Sequence, residues 1–333
     1  MNMTKWLENL LSANKKIPLP ILSFPSVSLL NITVKELIEN AHMQAKGMKA
    51  VADRNLSAAA VSMMDLSVEA EAFGSEVRFS SDEVPTVIGA IADTMEKAES
   101  LKIPKVGDGR TAIYVDAIKK AKELITDRPV LAGIIGPFSL AGRLIDVNEA
   151  FIKCYEDPEM LHIVLKKSTE FLIDYAKAFK LAGADGIIMA EPLAGLLSPD
   201  LAEQFSEPYV KAVFDAVKND EFAVIYHNCG DCTIFQIESI LRTNASAYHF
   251  GNAIKMSEMM PHIPSNVIAM GNVDPTTQFK NGTPEGIKAE TKRIMAECAE
   301  YKNFVISSGC DIPPSTPWEN IDAFFKAAEE FYA

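Results

Sequence analysis

Residues 223–230 read Ala223-Val224-Ile225-Tyr226-His227-Asn228-Cys229-Gly230, and the reading of this octet decides both the fold and the place to look for chemistry. Its opening residues are apolar without a break and end in β-branched and aromatic side chains, the composition of a strand buried on both faces. A strand alternates faces, so His227 and Cys229, two residues apart, point the same way and can hold one ion between them. Gly230 then ends the run.

Other strand-length apolar runs lie at 17–24, 58–65, 130–137, 186–191, 247–252, 267–273 and 304–310. With 223–229 they make eight, separated by longer segments of helical period, which is the pattern of repeated βα units on a parallel sheet. Helix starts are signalled by a capping residue before proline at Asp157-Pro158, Ser198-Pro199, Thr283-Pro284 and Thr316-Pro317. Eight such units predict an α/β chain, residues 1–333 folding as a single (β/α)₈ TIM barrel whose site gathers at the C-terminal strand ends. The first sixteen residues read as an amphipathic helix that flanks or plugs the barrel bottom. The long link after the second run reads as a flap over the mouth, with a β-hairpin in 68–79 turning at Gly74-Ser75.

A third soft donor, Cys310, sits in Ser308-Gly309-Cys310-Asp311 at the end of the eighth run. One imidazole and two thiolates leave a tetrahedral Zn²⁺ with an open fourth position, the signature of a catalytic and not a structural metal. The competing reading is a Cys229-x-x-Cys232 redox pair, which lacks a thioredoxin-like βαβ setting. Cys154 and Cys298 fall on apolar helix faces and read as core. The odd count of five cysteines argues against a disulfide framework.

Composition excludes other classes. A net charge of −13, without clustered Lys and Arg, argues against nucleic acid. No apolar stretch reaches the ~20 residues that cross a bilayer, and the start lacks a secretion-signal core, so a cytoplasmic location is expected. Nothing in the composition bars a homo-oligomer.

Further residues fall at strand ends. Glu191 closes the fourth strand and is placed to fill the fourth zinc position or orient a ligand there. The Phe138-Ser139 turn at a helix start offers N–H groups to an anionic acceptor, and Arg143 offers a charge. Asn252 and Asn272 end the sixth and seventh strands and could line the pocket. His249 reads as a core or rim histidine, whereas His42 and His162 ride on helices far from the mouth.

The motifs Asp65-Leu66-Ser67-Val68-Glu69-Ala70-Glu71-Ala72-Phe73-Gly74, Gly136-Pro137-Phe138-Ser139-Leu140-Ala141, Glu191-Pro192, His227-Asn228-Cys229-Gly230, Gly271-Asn272-Val273-Asp274-Pro275 and Ser308-Gly309-Cys310-Asp311 span the chain. Together they resemble the uroporphyrinogen decarboxylase superfamily, and within it the methylcobalamin:coenzyme M methyltransferases. The resemblance implies His227, Cys229 and Cys310 as zinc ligands. It also implies a methylated corrinoid carried by a partner corrinoid protein, and a small-molecule thiol acceptor such as coenzyme M, with a non-thiol acceptor such as tetrahydrofolate as the alternative in bacterial relatives. In the decarboxylase branch, Asp65 would stand near the catalytic aspartate. That branch receives a polycarboxylate on an arginine-rich N-terminal segment; here the first Arg is Arg54, which argues against metal-free porphyrinogen decarboxylation.

Overall fold

The computed structural model describes all 333 residues. Strands occur at β1 (Ala60–Val61), β2 (Glu76–Arg78), β3 (Thr86–Ile88), β4 (Val130–Ile135), β5 (Gly186–Ala190), β6 (Ala223–Asn228), β7 (Ala247–Phe250), β8 (Ile268–Val273) and β9 (Phe304–Ser308). Seven form one curled sheet in the order β1-β4-β5-β6-β7-β8-β9, and every neighbouring pair in it is parallel. Helices occupy the crossovers, as parallel pairing requires.

The first apolar run corrects the expected strand count. Residues 17–24 lie beside β9 without entering the ladder, because Pro18 and Pro20 lack the N–H groups a strand would donate. The bonds that remain still bridge the sheet edges: Leu19 N–H donates to Ile306 C=O at 3.1 Å and Ala58 N–H donates to Pro18 C=O at 2.9 Å. Ile21 N–H goes to the Ser308 hydroxyl at 3.0 Å instead of a carbonyl. The segment thus takes the place of an eighth strand, between β9 and the approach to β1.

Two apolar cores result from strands covered on both faces. A cluster of 77 buried residues fills the layer between sheet and helices. A second, of 17, fills the barrel interior with inward side chains such as Leu131, Ile188, Ile225, Met270 and Val305. The helix Met3–Ser12 buries Met3 and Leu10 in that inner cluster, with Trp6, Leu7 and Leu11 packed against it, and Met3 N–H donates to Asp220 C=O at 2.7 Å. The N-terminal helix therefore closes the barrel bottom.

Three of the proline-marked helices start as read: Asp157, Ser198 and Thr283 each accept a backbone N–H at the first turn. The fourth begins one residue later, at Trp318, with Pro317 in the cap position and no side-chain cap. The hairpin is also displaced. Val68–Ala72 is a helix, as its Glu and Ala content favours. It ends where Gly74 takes φ 101 and Ser75 N–H reaches back to Ala70 C=O at 3.0 Å, a Schellman stop. The hairpin proper is β2 against β3, paired from Glu76–Ile88 to Arg78–Thr86.

Candidate metal centre

His227 is the penultimate residue of β6, Cys229 lies just past its end, and Cys310 lies two residues beyond β9. One donor atom from each falls within 4.8 Å of the other two. His227 is buried and both cysteines are half-buried. Two glycines allow this convergence. A Cβ built on Gly251 would collide with Cα and Cβ of Cys229, and one on Gly309 would meet Asn252 Oδ1 at 2.5 Å. Asp311 anchors the loop carrying Cys310, accepting Met64 N–H at 3.1 Å.

The imidazole of His227 is held from behind. In register with it on the next strand is His249, whose Nδ1 lies 2.7 Å from His227 Nδ1 with the rings edge to face. His249 Nε2 lies 2.7 Å from the Ser307 hydroxyl, which donates to Leu19 C=O at 2.6 Å. Burial, and then the neighbouring His227, push the pKa of His249 well below its ordinary value, so this ring is neutral. His227 Nε2, by contrast, is buried with no hydrogen-bond partner. A buried ring nitrogen left bare is costly, and a metal ion is the partner that would satisfy it.

The thiols support that fit. Their mutual hydrogen bond pulls the Cys229 pKa down and, with burial, pushes Cys310 up to about 12. A dication bound between them would let both sulfurs ionise. Two thiolates, one neutral imidazole and a half-exposed mouth suit zinc with room for a further ligand.

Glu191 and the Phe138-Ser139 turn, expected to serve a ligand, instead satisfy each other. The Glu191 carboxylate accepts Phe138 N–H at 2.8 Å, Ser139 N–H at 2.9 Å and the Ser139 hydroxyl at 2.7 Å. It caps the helix Pro137–Ile145 and stands outside the three-donor cluster. Burial raises its pKa to about 7 in spite of these bonds. Arg143 donates to Ser139 C=O at 2.9 Å and is half-buried, with Glu69 and Glu191 as nearby charges.

Asp65 is likewise held by protein partners. Its carboxylate accepts from Arg110 Nη1 at 2.5 Å, Tyr114 OH at 2.6 Å and the Ser67 hydroxyl at 2.6 Å. Arg110 also donates to Glu71 at 2.6 Å, so this network ties the flap helix to the barrel. Asn252 and Asn272 line a side cavity of about 230 Å³ with Lys255 and Arg293. The Asn272 amide donates to Gly251 and Ile254 carbonyls at 2.9 and 2.7 Å. Cys154 and Cys298 are buried. No helix is long and apolar enough to cross a membrane.

His249, Ser307, Gly251 and Gly309 are the residues that reading the sequence does not assign to the site. Strand register, which is not written in either run, places His249 behind His227.

Known proteins resemble this chain to different depths. A methylcobamide:CoM methyltransferase of Methanosarcina acetivorans is 28 % identical over 271 residues, covering 80 % of this chain and 78 % of the relative. A uroporphyrinogen decarboxylase of Prochlorococcus marinus is 30 % identical over 223 residues, or 64 % of this chain and 62 % of the relative. A solved structure of a methyltransferase from Methanosarcina mazei superposes with a TM-score of 0.88 at 25 % identity, covering 100 % of both chains. The family model for uroporphyrinogen decarboxylase (URO-D) matches residues 27–331, and the chain belongs to that family.

Proposed function

We propose that this protein is a zinc-dependent methyltransferase that moves a methyl group from a protein-bound methylated corrinoid to a thiol such as coenzyme M. The observation that carries the reading is the His227, Cys229 and Cys310 donor set at the barrel mouth, with the His227 Nε2 lone pair unmatched by any protein group. The similarity to methylcobamide:CoM methyltransferases over 80 % of the chain supports it.

His227, Cys229 and Cys310 would hold the ion. Zinc bound there would supply a lowered thiol pKa, delivering the acceptor as thiolate at neutral pH. The acceptor sulfur attacks the methyl carbon in line; the S–C bond forms, the Co–C electron pair stays on cobalt as Co(I), and the thiol proton leaves to solvent. The inner core below the site keeps water from the buried side of His227. Glu191, Asp65 and Arg143 act in this reading as positioning residues, shaping the helix start and flap beside the mouth. A corrinoid is too large for the barrel lumen, so its carrier protein docks across the strand ends.

The family also contains decarboxylases, including relatives of about the same identity. The arginine-free stretch before Arg54 offers no carboxylate receptor there, and a thiolate pair has no evident part in metal-free decarboxylation.

The test is incubation of purified protein with methylcobalamin and candidate acceptors, coenzyme M and tetrahydrofolate among them, following loss of the methyl–cobalt absorbance. Cys310→Ala should lower the rate more than ~100-fold, beyond the range for an outer-shell partner. Equal rates for the two proteins would remove the metal site from the mechanism.

A further inference from the structure

The hydrogen bonds behind His227 have only one consistent direction. Leu19 C=O can only accept, so the Ser307 hydroxyl, 2.6 Å away, gives its single proton there. Ser307 Oγ is then an acceptor toward His249 Nε2 at 2.7 Å, which places a proton on Nε2. His249 is fully buried with only His227 and Ser307 bonded to its ring and no carboxylate among them, and a buried charge without a counter-ion is costly, so the ring keeps one proton and its bare Nδ1 faces His227 Nδ1 at 2.7 Å. His227 must therefore carry its proton on Nδ1. Its Nε2, buried and without a partner, keeps the lone pair.

We propose that His249, backed by Ser307 and the Leu19 carbonyl, is a positioning residue that fixes the tautomer and aim of His227. The inference rests on the metal-site reading above and adds the group that prepares it. A metal-bound histidine usually gives its other N–H to a carboxylate, carbonyl or water; here a second neutral imidazole takes that place. Every member of the relay is uncharged, so the wall behind His227 adds no negative charge to the two thiolates. Leu19 belongs to the proline-interrupted segment that replaces an eighth strand, so the relay runs through the lumen from β6 to that segment.

The experiment is long-range ¹H–¹⁵N correlation on histidine-labelled, metal-free protein, joined to zinc titration against a chelator. In the wild type, His227 should show a protonated Nδ1 and a bare Nε2. His249→Leu removes the acceptor; it should shift His227 toward the Nε2–H form and weaken zinc ~10–100-fold. His249→Asn places Oδ1 where Nδ1 was and should restore both readouts. Ser307→Ala leaves the ring in place and should move the tautomer the same way with a smaller loss of affinity, which keeps the test open if His249→Leu does not fold. Wild-type His227 protonated on Nε2, or unchanged tautomer and affinity in His249→Leu, would overturn the relay. A wild type that takes up no zinc would defeat the metal reading instead, while the metal-free spectrum still supports or overturns the relay on its own.

Discussion

Asp65 and Glu191 on the flap side of the barrel mouth, and His227 on the β6 to β9 side, are partnered in opposite ways. On the flap side, Asp65, Arg110 and Tyr114 satisfy one another, and Glu191 is held by the Phe138-Ser139 helix start. On the β6 to β9 side, a relay of neutral groups ends in a bare His227 Nε2 beside two thiols. A closed network is evidence of scaffold; a bare imidazole nitrogen that converges with two thiols is evidence of a missing ligand. Residue type already points to the His227, Cys229 and Cys310 side. Partner counting supports the same side from an independent observation.

The comparison breaks if the flap network proves to be part of the metal centre. Asp65→Ala would leave Arg110 buried beside only Glu71 as counter-ion, and loss of one partner of a buried pair costs about 3–5 kcal/mol. Chemical denaturation should show a loss of that order, with zinc stoichiometry unchanged. Loss of bound zinc in a folded Asp65→Ala protein would join the two sides into one site.

A smaller effect sharpens the same contrast. Burial raises Glu69 to about 7 from 4.5 although Ile135 N–H donates to it at 3.0 Å. Between those two values the folded state holds the proton that the unfolded state has released. Stability must therefore fall as pH rises through that window and level off above it, by roughly 3 kcal/mol for this group. Glu69→Gln should flatten that part of the pH profile in thermal or denaturant unfolding; an unchanged slope would assign the pH dependence to other groups.

Much of this was legible in the chain. Seven of the eight apolar runs are strands because uninterrupted β-branched composition outweighs local alternatives, and His227, Cys229 and Cys310 stand at strand ends that a barrel brings together. The departures have separate physical causes. The segment 17–24 has strand composition, yet two missing N–H groups remove it from the ladder. The turn at Gly74-Ser75 ends a helix because Val68-Glu69-Ala70-Glu71-Ala72 favours helix over strand. Glu191 and the Phe138-Ser139 turn are each read from sequence without the other, and the curled sheet brings them together. His249 could not be assigned, since its role depends on pairing Ala247 with Ile225, a register set in three dimensions.

The most direct measurement is zinc K-edge X-ray absorption on protein purified with about one zinc, before and after adding a thiol. A shell with two sulfurs near ~2.3 Å and one nitrogen near ~2.0 Å, gaining a third sulfur with the thiol, is expected from His227, Cys229 and Cys310. No bound zinc, or a shell of oxygen and nitrogen alone that the thiol leaves unchanged, would contradict it.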